Sequence, residues 1–519
     1  MNVEGRTLWE LIELRAEASP EALFAVDGND RSLDFAGYRD AVLRCAAGLA
    51  ERGVGEGTPV SWMLPSQLEA LVLCGALARL QAVQNPVLPI YRERESGFIL
   101  DQTGATLFCV PPSFRGFDYP AMAHDLAAER PGLEVLVVDE VLPEGDPAAL
   151  PAPPEPASLE AAPVRWIFYT SGTTSDPKGA RHTDPGLIAT FRGMVRCLEL
   201  GPEDRHGLVF PITHVGGVGW LIAGLWAGFA HIAVPVFDPE VAIPLLARHG
   251  VTQAGAGTAF HQAYLAAQRA APERPIFPRV RAFPGGGAPK PPQLHRDLER
   301  ELGGVGIVSG YGLTECPILA MNTTASPDAK LAETEGCANP PEAEIRVVRL
   351  DGRAAEPGEE GELRVRAPQL FRGYLDASLD AQAFDEGGFF RTGDLGRLDT
   401  EGYVTITGRL KDVIIRKGEN ISAKEIEDLL YTHPKVRDVA VIGLPDPELG
   451  ERCCAVVACT GEPLGFEEMA GFLKERGLSR QKLPEQLEAI DVVPRNAAGK
   501  LEKQQLRERY AGTKRTTAA

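Results

Sequence analysis

Hydrophobic and polar positions along the first 130 residues follow two alternating patterns, one typical of amphipathic helices and one typical of buried strands. The helix-like segments are 8–16, 35–52 and 66–80, and the strand-like segments between them are 22–26, 59–63 and 106–110. Strands that alternate with helices predict a mostly parallel sheet with helices on both faces. Residues 141–163 carry seven prolines and are predicted to be an ordered surface connection or linker.

The same rhythm resumes after this proline-rich connection. Strands are predicted at 164–169, 207–210, 232–236, 252–255, 280–283 and 307–309. Helices are predicted at 185–198, at 241–249 and 293–302, and from a turn at 211–217 to residue 230. Several of these strands end in glycine-rich or polar turns, and in doubly wound sheets such turns gather at one edge and form the ligand crevice.

The pattern changes at about residue 336 to short alternating strands, and again near 411 to a compact mixture of strands and helices. We therefore expect a large α/β N-terminal domain, built of doubly wound sheets with a smaller β-rich subdomain, followed by a small mobile α+β C-terminal domain. The predicted N-terminal domain is 1–410, with its β-rich part at about 336–408. The predicted C-terminal domain is 411–519.

The composition argues against several classes of partner and favours one cellular location. Of 519 residues, 53 are basic and 72 acidic, which gives a formal charge of −19 and argues against nucleic acid or an anionic membrane as a partner. The sequence has no basic run before an apolar stretch at its N-terminus and no apolar run near the ~20 residues of a membrane helix. The nine cysteines are scattered, so reduced thiols and a cytoplasmic location are expected.

Residues 169–179 read Tyr-Thr-Ser-Gly-Thr-Thr-Ser-Asp-Pro-Lys-Gly, directly after a predicted buried strand. Five Ser and Thr side chains and one glycine at 170–175, followed by a lysine at 178, are typical of a loop that cradles phosphates, because hydroxyls donate hydrogen bonds and the lysine supplies positive charge. The stretch is not the common P-loop, which has a different spacing. Taken alone, it is equally compatible with a polar surface loop.

Together with four later motifs, this loop resembles the adenylate-forming superfamily, and within it the acyl- and aryl-CoA ligases. The later motifs, in chain order, are 310–315 (GYGLTE), 391–394 (RTGD), 408–412 (GRLKD) and 499–500 (GK). Residues 418–422 (GENIS) resemble the CoA-using members more than those that activate amino acids. The resemblance implies that ATP and a carboxylic acid form an acyl-adenylate and pyrophosphate, after which a thiol displaces AMP.

The resemblance also implies roles for individual residues. The phosphates of ATP would be bound by the loop residues Thr170, Ser171, Gly172, Thr173, Thr174 and Lys178. Adenine would lie between Tyr311, with Gly312 beside it, and the opposite wall of Gly286 and Gly287. The ribose would be held by Asp394 and Arg409.

The catalytic residues implied in the same way are Lys500, Glu315, Thr314, His214 and Gly418. Lys500 would bridge the α-phosphate and the carboxylate, Thr314 would contact the α-phosphate, and Glu315 would hold Mg²⁺. Lys411 would be the hinge about which the C-terminal domain rotates, withdrawing Lys500 and bringing the region of Gly418 to the cleft for coenzyme A. A steric or positioning role is favoured for His214 over acid–base chemistry.

The acid itself is expected between the glycine-rich turns. The predicted acyl pocket consists of His214, Val215, Gly216, Gly217, Trp220, Gly257, Gly285, Gly312 and Ile318. Glycines there would leave volume for a bulky group. The sequence of residues 174–179 resembles the corresponding loop of bacterial ligases for alicyclic, steroid or terpenoid acids, so such a hydrophobic acid is the predicted substrate.

One departure leaves alternatives open. Ser175 stands where the family usually carries glycine, and glycine adopts positive φ more easily than serine does. A tolerated substitution leaves a complete ligase, whereas an impaired loop leaves an enzyme that forms thioesters only, from adenylate supplied by a companion enzyme. An adenylating enzyme that loads a carrier protein and a non-catalytic nucleotide-binding protein are further alternatives. A homodimer is a further hypothesis.

Overall fold

A computed structural model of the chain describes residues 2–153, 156–170, 177–287, 290–416, 419–495 and 500–513, with only the backbone of 419 and 420. Its first part alternates strands with helices. The elements up to residue 182 are α1 (Leu8–Ala18), β1 (Leu23–Val26), β2 (Ser32–Asp34), α2 (Phe35–Ala50), β3 (Pro59–Trp62), α3 (Leu68–Arg79), β4 (Val83–Pro86), α4 (Glu93–Thr103), β5 (Leu107–Val110), α5 (Tyr119–Ala128), β6 (Glu134–Val137), β7 (Trp166–Thr170) and β8 (Lys178–His182).

Six of these strands form one sheet in the order β6-β5-β3-β4-β7-β8. All neighbours in it run parallel except β8, which is antiparallel to β7. The predicted alternation and mostly parallel sheet are therefore confirmed. The proline-rich connection holds one short 3₁₀ turn, Pro147–Ala149, among its described residues.

Two further sheets follow. The elements between residues 184 and 338 are α6 (Asp184–Cys197), β9 (Arg205–Leu208), α7 (Val215–Ala227), β10 (Ala230–Ala233), α8 (Pro239–Arg248), α9 (Thr258–Ala270), β11 (Phe283–Gly286), α10 (Pro292–Leu302), β12 (Ile307–Tyr311), β13 (Ala320–Met321), α11 (Asp328–Glu333) and β14 (Cys337–Ala338). The sheet orders are β2-β1-β10-β9 and β11-β12-β13-β14. Gln253 pairs with both His206 and Ala282, so it joins the two sheets edge to edge.

The structure differs in detail from the elements predicted for this region. Helix α7 already begins at Val215, inside the predicted turn, because the His214 ring accepts the N–H of Gly216 and caps the helix. Residues 252–255 are not a continuous strand and contribute only the bridges of Gln253. Helix α9 was not predicted, although its buried positions His261, Tyr264, Leu265 and Gln268 recur at helical spacing.

The rest of the chain forms two further sheets. Its elements are β15 (Glu344–Val348), β16 (Gly361–Arg366), α12 (Asp380–Ala383), β17 (Phe390–Leu398), β18 (Val404–Arg409), β19 (Val413–Arg416), β20 (Glu419–Ser422), α13 (Ala423–Leu430), β21 (Val436–Asp446), β22 (Gly450–Cys459), α14 (Phe466–Glu475), β23 (Gln486–Ala489) and α15 (Lys503–Tyr510). Strands β15 to β18 form an antiparallel sheet in chain order. The last sheet has the order β20-β19-β22-β21, with β23 parallel to β22.

The predicted fold class, a large α/β N-terminal part with a smaller C-terminal α+β part, is confirmed. The division at residues 410 and 411 stays a prediction. A 3₁₀ turn, Leu410–Asp412, connects β18 to β19 at this point. Among the described residues, none of the helices combines the length and the apolar character needed to cross a bilayer.

Candidate functional site

The phosphate-loop motif lies between two strands that pair with each other. Thr170 ends β7 and is opposite Lys178, the first residue of β8. Ser171, Gly172, Thr173, Thr174 and Ser175 lie outside the described residues. The ammonium of Lys178 lies over the ring of Tyr374, 5.5 Å from its centroid.

Tyr374 also reaches Glu315, the predicted metal ligand. Its hydroxyl donates to Oε1 of Glu315 at 2.6 Å, so one tyrosine links Lys178 and Glu315. The backbone oxygen of Glu315 accepts from the N–H of Phe371 at 2.8 Å, which attaches this turn to the β-rich part of the chain. The carboxylate is thus held in place while being almost completely buried.

Thr314, next to Glu315, is positioned by a histidine. The Nε2–H of His182 donates to the carbonyl oxygen of Thr314 at 2.8 Å. Burial lowers the pKa of His182 to about 4, against the opposing effect of this backbone hydrogen bond, so the ring is neutral at physiological pH. Strand β8 therefore fixes the turn that carries Thr314.

A second cluster surrounds Asp394. Strands β17 and β18 place Asp394 opposite Arg409, and the Nε of Arg409 lies 2.9 Å from Oδ1 of the aspartate. The hydroxyl of Tyr311 donates to Oδ2 at 2.8 Å. The two carboxylate oxygens are oriented by different partners, and Asp394 is 3% exposed. The structure thus brings together three residues predicted to bind a nucleoside.

Gly286 is the last residue of the neighbouring strand β11, which runs parallel to β12, and Gly287 directly follows it. A side chain at Gly286 would place its Cβ 2.8 Å from the carbonyl oxygen of Gly310, so the two strand ends approach closely. Gly287 has φ of +75°, a conformation that favours glycine. A Cβ there would meet nothing nearer than Cε of Lys500, at 4.0 Å.

Lys500, a predicted catalytic residue near the C-terminal end of the chain, also lines this cleft. Burial and the nearby Arg409 lower its pKa to about 8, while Asp394 and Glu315 act in the opposite direction. The cleft has a volume of about 590 Å³, within the range of small-molecule sites. It is lined by seven predicted residues, Gly287, Tyr311, Gly312, Asp394, Arg409, Lys411 and Lys500.

His214 lies beside a separate cavity of about 10 Å³, which it lines together with Tyr169, Thr213 and Thr314. Burial and the charge of Lys500 lower the pKa of His214 to about 3, so its ring is neutral. Because Nδ1 accepts the capping hydrogen bond from Gly216 at 3.0 Å, the ring orientation is fixed. A neutral, fixed ring is suited to positioning more than to proton transfer.

The glycines of the predicted acyl pocket differ in what surrounds them. A Cβ at Gly217 would lie 2.2 Å from the carbonyl oxygen of Pro211, and one at Gly312 would lie 2.3 Å from the backbone nitrogen of Ile318. The expectation that these two glycines leave volume for a substrate is therefore wrong, because neighbouring backbone fills it. Gly257 and Gly285 are half-buried, and their nearest neighbours would be 3.3 and 3.0 Å from such a Cβ.

The other predicted pocket residues belong to the core as well. Val215 is 3% exposed, and Trp220 stacks on the His206 ring with centroids 3.7 Å apart. Ile318 is half-buried and has a positive φ of 42°. Whether an acid lies here stays a prediction.

The predicted hinge residue Lys411 is in the turn Leu410–Asp412. Its neighbour Asp412 accepts from Nη2 of Arg507, on α15, at 2.7 Å. Burial lowers the pKa of Lys411. Gly418 lies outside the described residues, so the structure describes only the two strands on either side of it, β19 and β20.

Sequence reasoning did not predict His182 and Tyr374, which hold Thr314 and Glu315. His182 lies on β8, four residues after Lys178, and the predicted loop 169–179 covers only the first two residues of this strand. Tyr374 is nearly 200 residues from its partner on the phosphate side, and its bridge to Ala180 forms only in the folded chain.

Comparisons with known proteins agree with this geometry. Residues 12–375 match the family model described as AMP-binding enzyme, and residues 425–500 match the AMP-binding enzyme C-terminal domain. A salicyl-AMP ligase / salicyl-S-ArCP synthetase of Mycobacterium tuberculosis is 33% identical over 96% of this chain and 90% of its own length. A medium-chain fatty-acid–CoA ligase of Escherichia coli is 31% identical over 95% and 88%. The crystal structure of ATP-bound MatB from Rhodopseudomonas palustris superposes with a TM-score of 0.87, at 27% identity and 99% coverage of both chains.

Proposed function

This chain belongs to the AMP-binding enzyme family, and from that premise we propose that it is an ATP-dependent acyl-CoA ligase acting on a carboxylic acid. The observation that carries the proposal is the position of Lys500. A half-buried lysine from near the end of the chain shares one cleft with Asp394 and Arg409 and lies within electrostatic reach of Glu315. A cation in such a place is suited to stabilising negative charge that develops on a phosphate.

In the first half-reaction, a carboxylate oxygen of the acid attacks the α-phosphorus of ATP. The bond from that phosphorus to the bridging oxygen of the β-phosphate breaks, and pyrophosphate leaves with the electron pair. Lys500 would neutralise the α-phosphate and the carboxylate, while Lys178 and the loop before it would hold the leaving pyrophosphate. Tyr311, Asp394 and Arg409 would hold the nucleoside.

In the second half-reaction, the thiolate of coenzyme A attacks the acyl carbon, the bond to the AMP oxygen breaks, and AMP leaves. A domain rotation about Lys411 would replace Lys500 by the region of Gly418 at the cleft. The 3₁₀ turn at Leu410–Asp412 supports this, because it is the single short connection between β18 and β19.

Glu315 would hold Mg²⁺. A magnesium ion bound to phosphates needs only one or two protein carboxylates, and Glu315 offers a carboxylate that Tyr374 orients through Oε1. The metal would supply charge neutralisation on the phosphates. The protein's contribution is to orient this carboxylate through Tyr374, whose ring also lies beneath the ammonium of Lys178.

A specific observation favours a second candidate, an adenylating enzyme that loads the acyl group onto a carrier protein. The mycobacterial relative, 33% identical, is named as a salicyl-S-ArCP synthetase. A phosphopantetheinyl carrier presents the same thiol as coenzyme A, so the cleft chemistry does not separate the two acceptors. The bacterial fatty-acid–CoA ligase, at 31% identity, equally supports coenzyme A as the acceptor.

The test measures the two half-reactions separately. Purified protein with ATP and Mg²⁺ is screened against carboxylic acids by pyrophosphate exchange, and AMP release is then measured with coenzyme A or with a phosphopantetheinyl carrier protein. Exchange together with CoA-dependent AMP release supports the proposal. AMP release with the carrier alone would favour the second candidate.

A third outcome addresses Ser175. No exchange with any acid, together with thioester formation from supplied acyl-adenylate, would favour an enzyme that depends on a companion for adenylation. The variant Ser175→Gly would then be expected to restore exchange. Absence of both half-reactions would contradict the proposed function.

A further inference from the structure

Lys500 reaches the cleft from a stretch of chain whose backbone is paired before and after it. Arg495 forms an antiparallel β-bridge with Leu501, and the N–H of Glu502 donates to the carbonyl oxygen of Pro494 at 2.9 Å. Helix α15 begins at the next residue of the chain. The contacts that hold α15 therefore decide where the Lys500 ammonium lies.

Helix α15 is attached to the rest of the protein by two ion pairs. Lys503 and Arg507 are four residues apart, so their side chains lie on the same face of the helix. Nζ of Lys503 is 2.8 Å from Oε1 of Glu427, and Nη2 of Arg507 donates to Oδ1 of Asp412 at 2.7 Å. All four side chains line the same cleft as Lys500.

The two ion pairs lead to different elements. Glu427 is on α13, and its Oε1 also accepts the N–H of Val441 on β21 at 2.7 Å, so this pair stays within the C-terminal part of the chain. Asp412 is instead in the 3₁₀ turn between β18 and β19, directly after the predicted hinge residue Lys411. Arg507 is therefore the side chain that connects α15 with the proposed hinge.

The Arg507–Asp412 pair is half-buried and charged at both ends. The two side chains are 26% and 18% exposed. Burial acts to raise the pKa of Asp412, but the charges of Lys503, Arg507 and Lys411 outweigh it and hold the pKa below its usual value, so the carboxylate is ionised at neutral pH. Solvent ions screen such a pair less than an exposed one, and removing one partner leaves the other charge half-buried.

From these contacts we infer that Asp412 and Arg507 are positioning residues for adenylation, which hold α15 against the hinge turn and so keep the Lys500 ammonium in the cleft. The inference rests on the proposed function, in which Lys500 neutralises the α-phosphate and the carboxylate. Because Asp412 follows Lys411 in the chain, rotation about Lys411 carries the pair and Lys500 together. The pair therefore acts on the first half-reaction, where Lys500 is needed, and has no part in the second.

The experiment uses Arg507→Met in the full-length protein, which removes the charge and keeps an apolar side chain. Pyrophosphate exchange is measured with the acid that gives the fastest exchange in the screen. We expect kcat to fall about tenfold or more, because a misplacement of about 1 Å at a reacting group costs up to about 10²-fold. KM for ATP and thioester formation from supplied acyl-adenylate should each stay within about twofold, since neither depends on Lys500 being in place.

A second variant tests whether the two residues act through each other. Asp412→Asn removes the charge of the partner and is expected to lower kcat for exchange to the same extent as Arg507→Met. The double variant should be no slower than either single variant, since all three lack the same contact. Additive losses would show that the two residues act separately and would overturn the inference.

Arg416→Met is the matched control. Arg416 pairs with Glu485 at 2.8 Å, and these side chains are 22% and 17% exposed, close to the values for Arg507 and Asp412. Neither is among the described residues that line the cleft. Exchange by this variant should stay within about twofold of the wild-type rate, because the change lies away from the reacting groups. Denaturant unfolding of Arg507→Met and Arg416→Met compares the stability that each loses.

The outcomes separate this inference from the proposed function. Unchanged kcat for exchange in Arg507→Met, an equal loss of both half-reactions, or an equal loss of exchange in Arg416→Met would overturn the inference. Exchange by the wild-type protein would in each case still support the proposed adenylation. No exchange by the wild-type protein with any acid would contradict adenylation, and the inference with it.

Discussion

The hydroxyl of Tyr311 donates to Oδ2 of Asp394 across 2.8 Å, although 83 residues separate them in the chain. The tyrosine comes from strand β12 and the aspartate from β17, so the hydrogen bond joins the mixed sheet β11-β12-β13-β14 to the β-rich sheet. Arg409 contacts the other carboxylate oxygen at 2.9 Å. One buried carboxylate is thus oriented by two different parts of the molecule.

Replacing this tyrosine tests the relationship. Tyr311→Phe keeps the ring and removes the donor, which leaves buried Asp394 with one partner fewer. We expect KM for ATP in pyrophosphate exchange to rise about 3- to 10-fold. The effect on kcat is expected to be small, because the ring that would contact adenine remains. An unchanged KM for ATP would show that Asp394 does not depend on this hydrogen bond.

Lys500→Ala should separate the half-reactions. Removing this cation from the cleft is expected to lower pyrophosphate exchange by about 10²- to 10³-fold, the range for loss of one group that stabilises developing charge. Thioester formation from supplied acyl-adenylate should be nearly unchanged, since Lys500 would leave the cleft for that step. Lys474→Ala, at an exposed position of α14, is the matched control. Equal loss of both half-reactions would contradict the domain rotation.

The pKa of Lys500, about 8, predicts a pH dependence. The lysine is charged below pH 8 and loses its proton above it, so kcat/KM for ATP in pyrophosphate exchange should fall about tenfold per pH unit above 8. Phosphates of bound ATP favour the cation and raise this pKa, which moves the fall in kcat to higher pH. A fall at pH 8 that persists in Lys500→Arg, whose charge does not titrate there, would exclude Lys500 as its cause.

The proposed hinge is tested by restricting one backbone angle. Proline fixes φ near −65°, which a 3₁₀ turn accepts but a rotating hinge does not. Lys411→Pro should therefore keep pyrophosphate exchange within about threefold and lower CoA-dependent thioester formation by more than about tenfold. Lys411→Ala controls for loss of the side chain and should keep both activities. Thioester formation at the wild-type rate in the proline variant would place the hinge elsewhere.

Replacing either of two helical glycines by alanine is expected to change the stability of the protein, in opposite directions. A Cβ at Gly219, in α7, would lie 1.9 Å from the ring of Phe191, so Gly219→Ala should lower the free energy of unfolding by about 1–3 kcal/mol. A Cβ at Gly471, in α14, would meet no atom within 4 Å, and Gly471→Ala should raise it by about 0.5–1 kcal/mol. Denaturant unfolding measures both. A destabilised Gly471→Ala would contradict the open surroundings of this helix position.

Local patterns predicted most elements because the period of burial is itself local. Helix α2 and strand β3 follow directly from spacing that the neighbouring residues carry. The predicted bounds of helix α7 are less accurate, because the helix is buried on almost every side and its apolar residues show no clear period. Its start depends on the His214 cap, which needs the folded backbone to be recognised.

The sequence by itself determined the fold class and the family, because ordered motifs and hydrophobic periodicity are properties of the chain read in order. Only the tertiary structure decided which glycines leave space, and that Lys500 lies beside Asp394 and Arg409. Each of these depends on segments far apart in the chain that meet only after folding. The surroundings of Asp394 are the clearest case, since β12, β17 and β18 must all be in place before Tyr311 and Arg409 reach its two carboxylate oxygens.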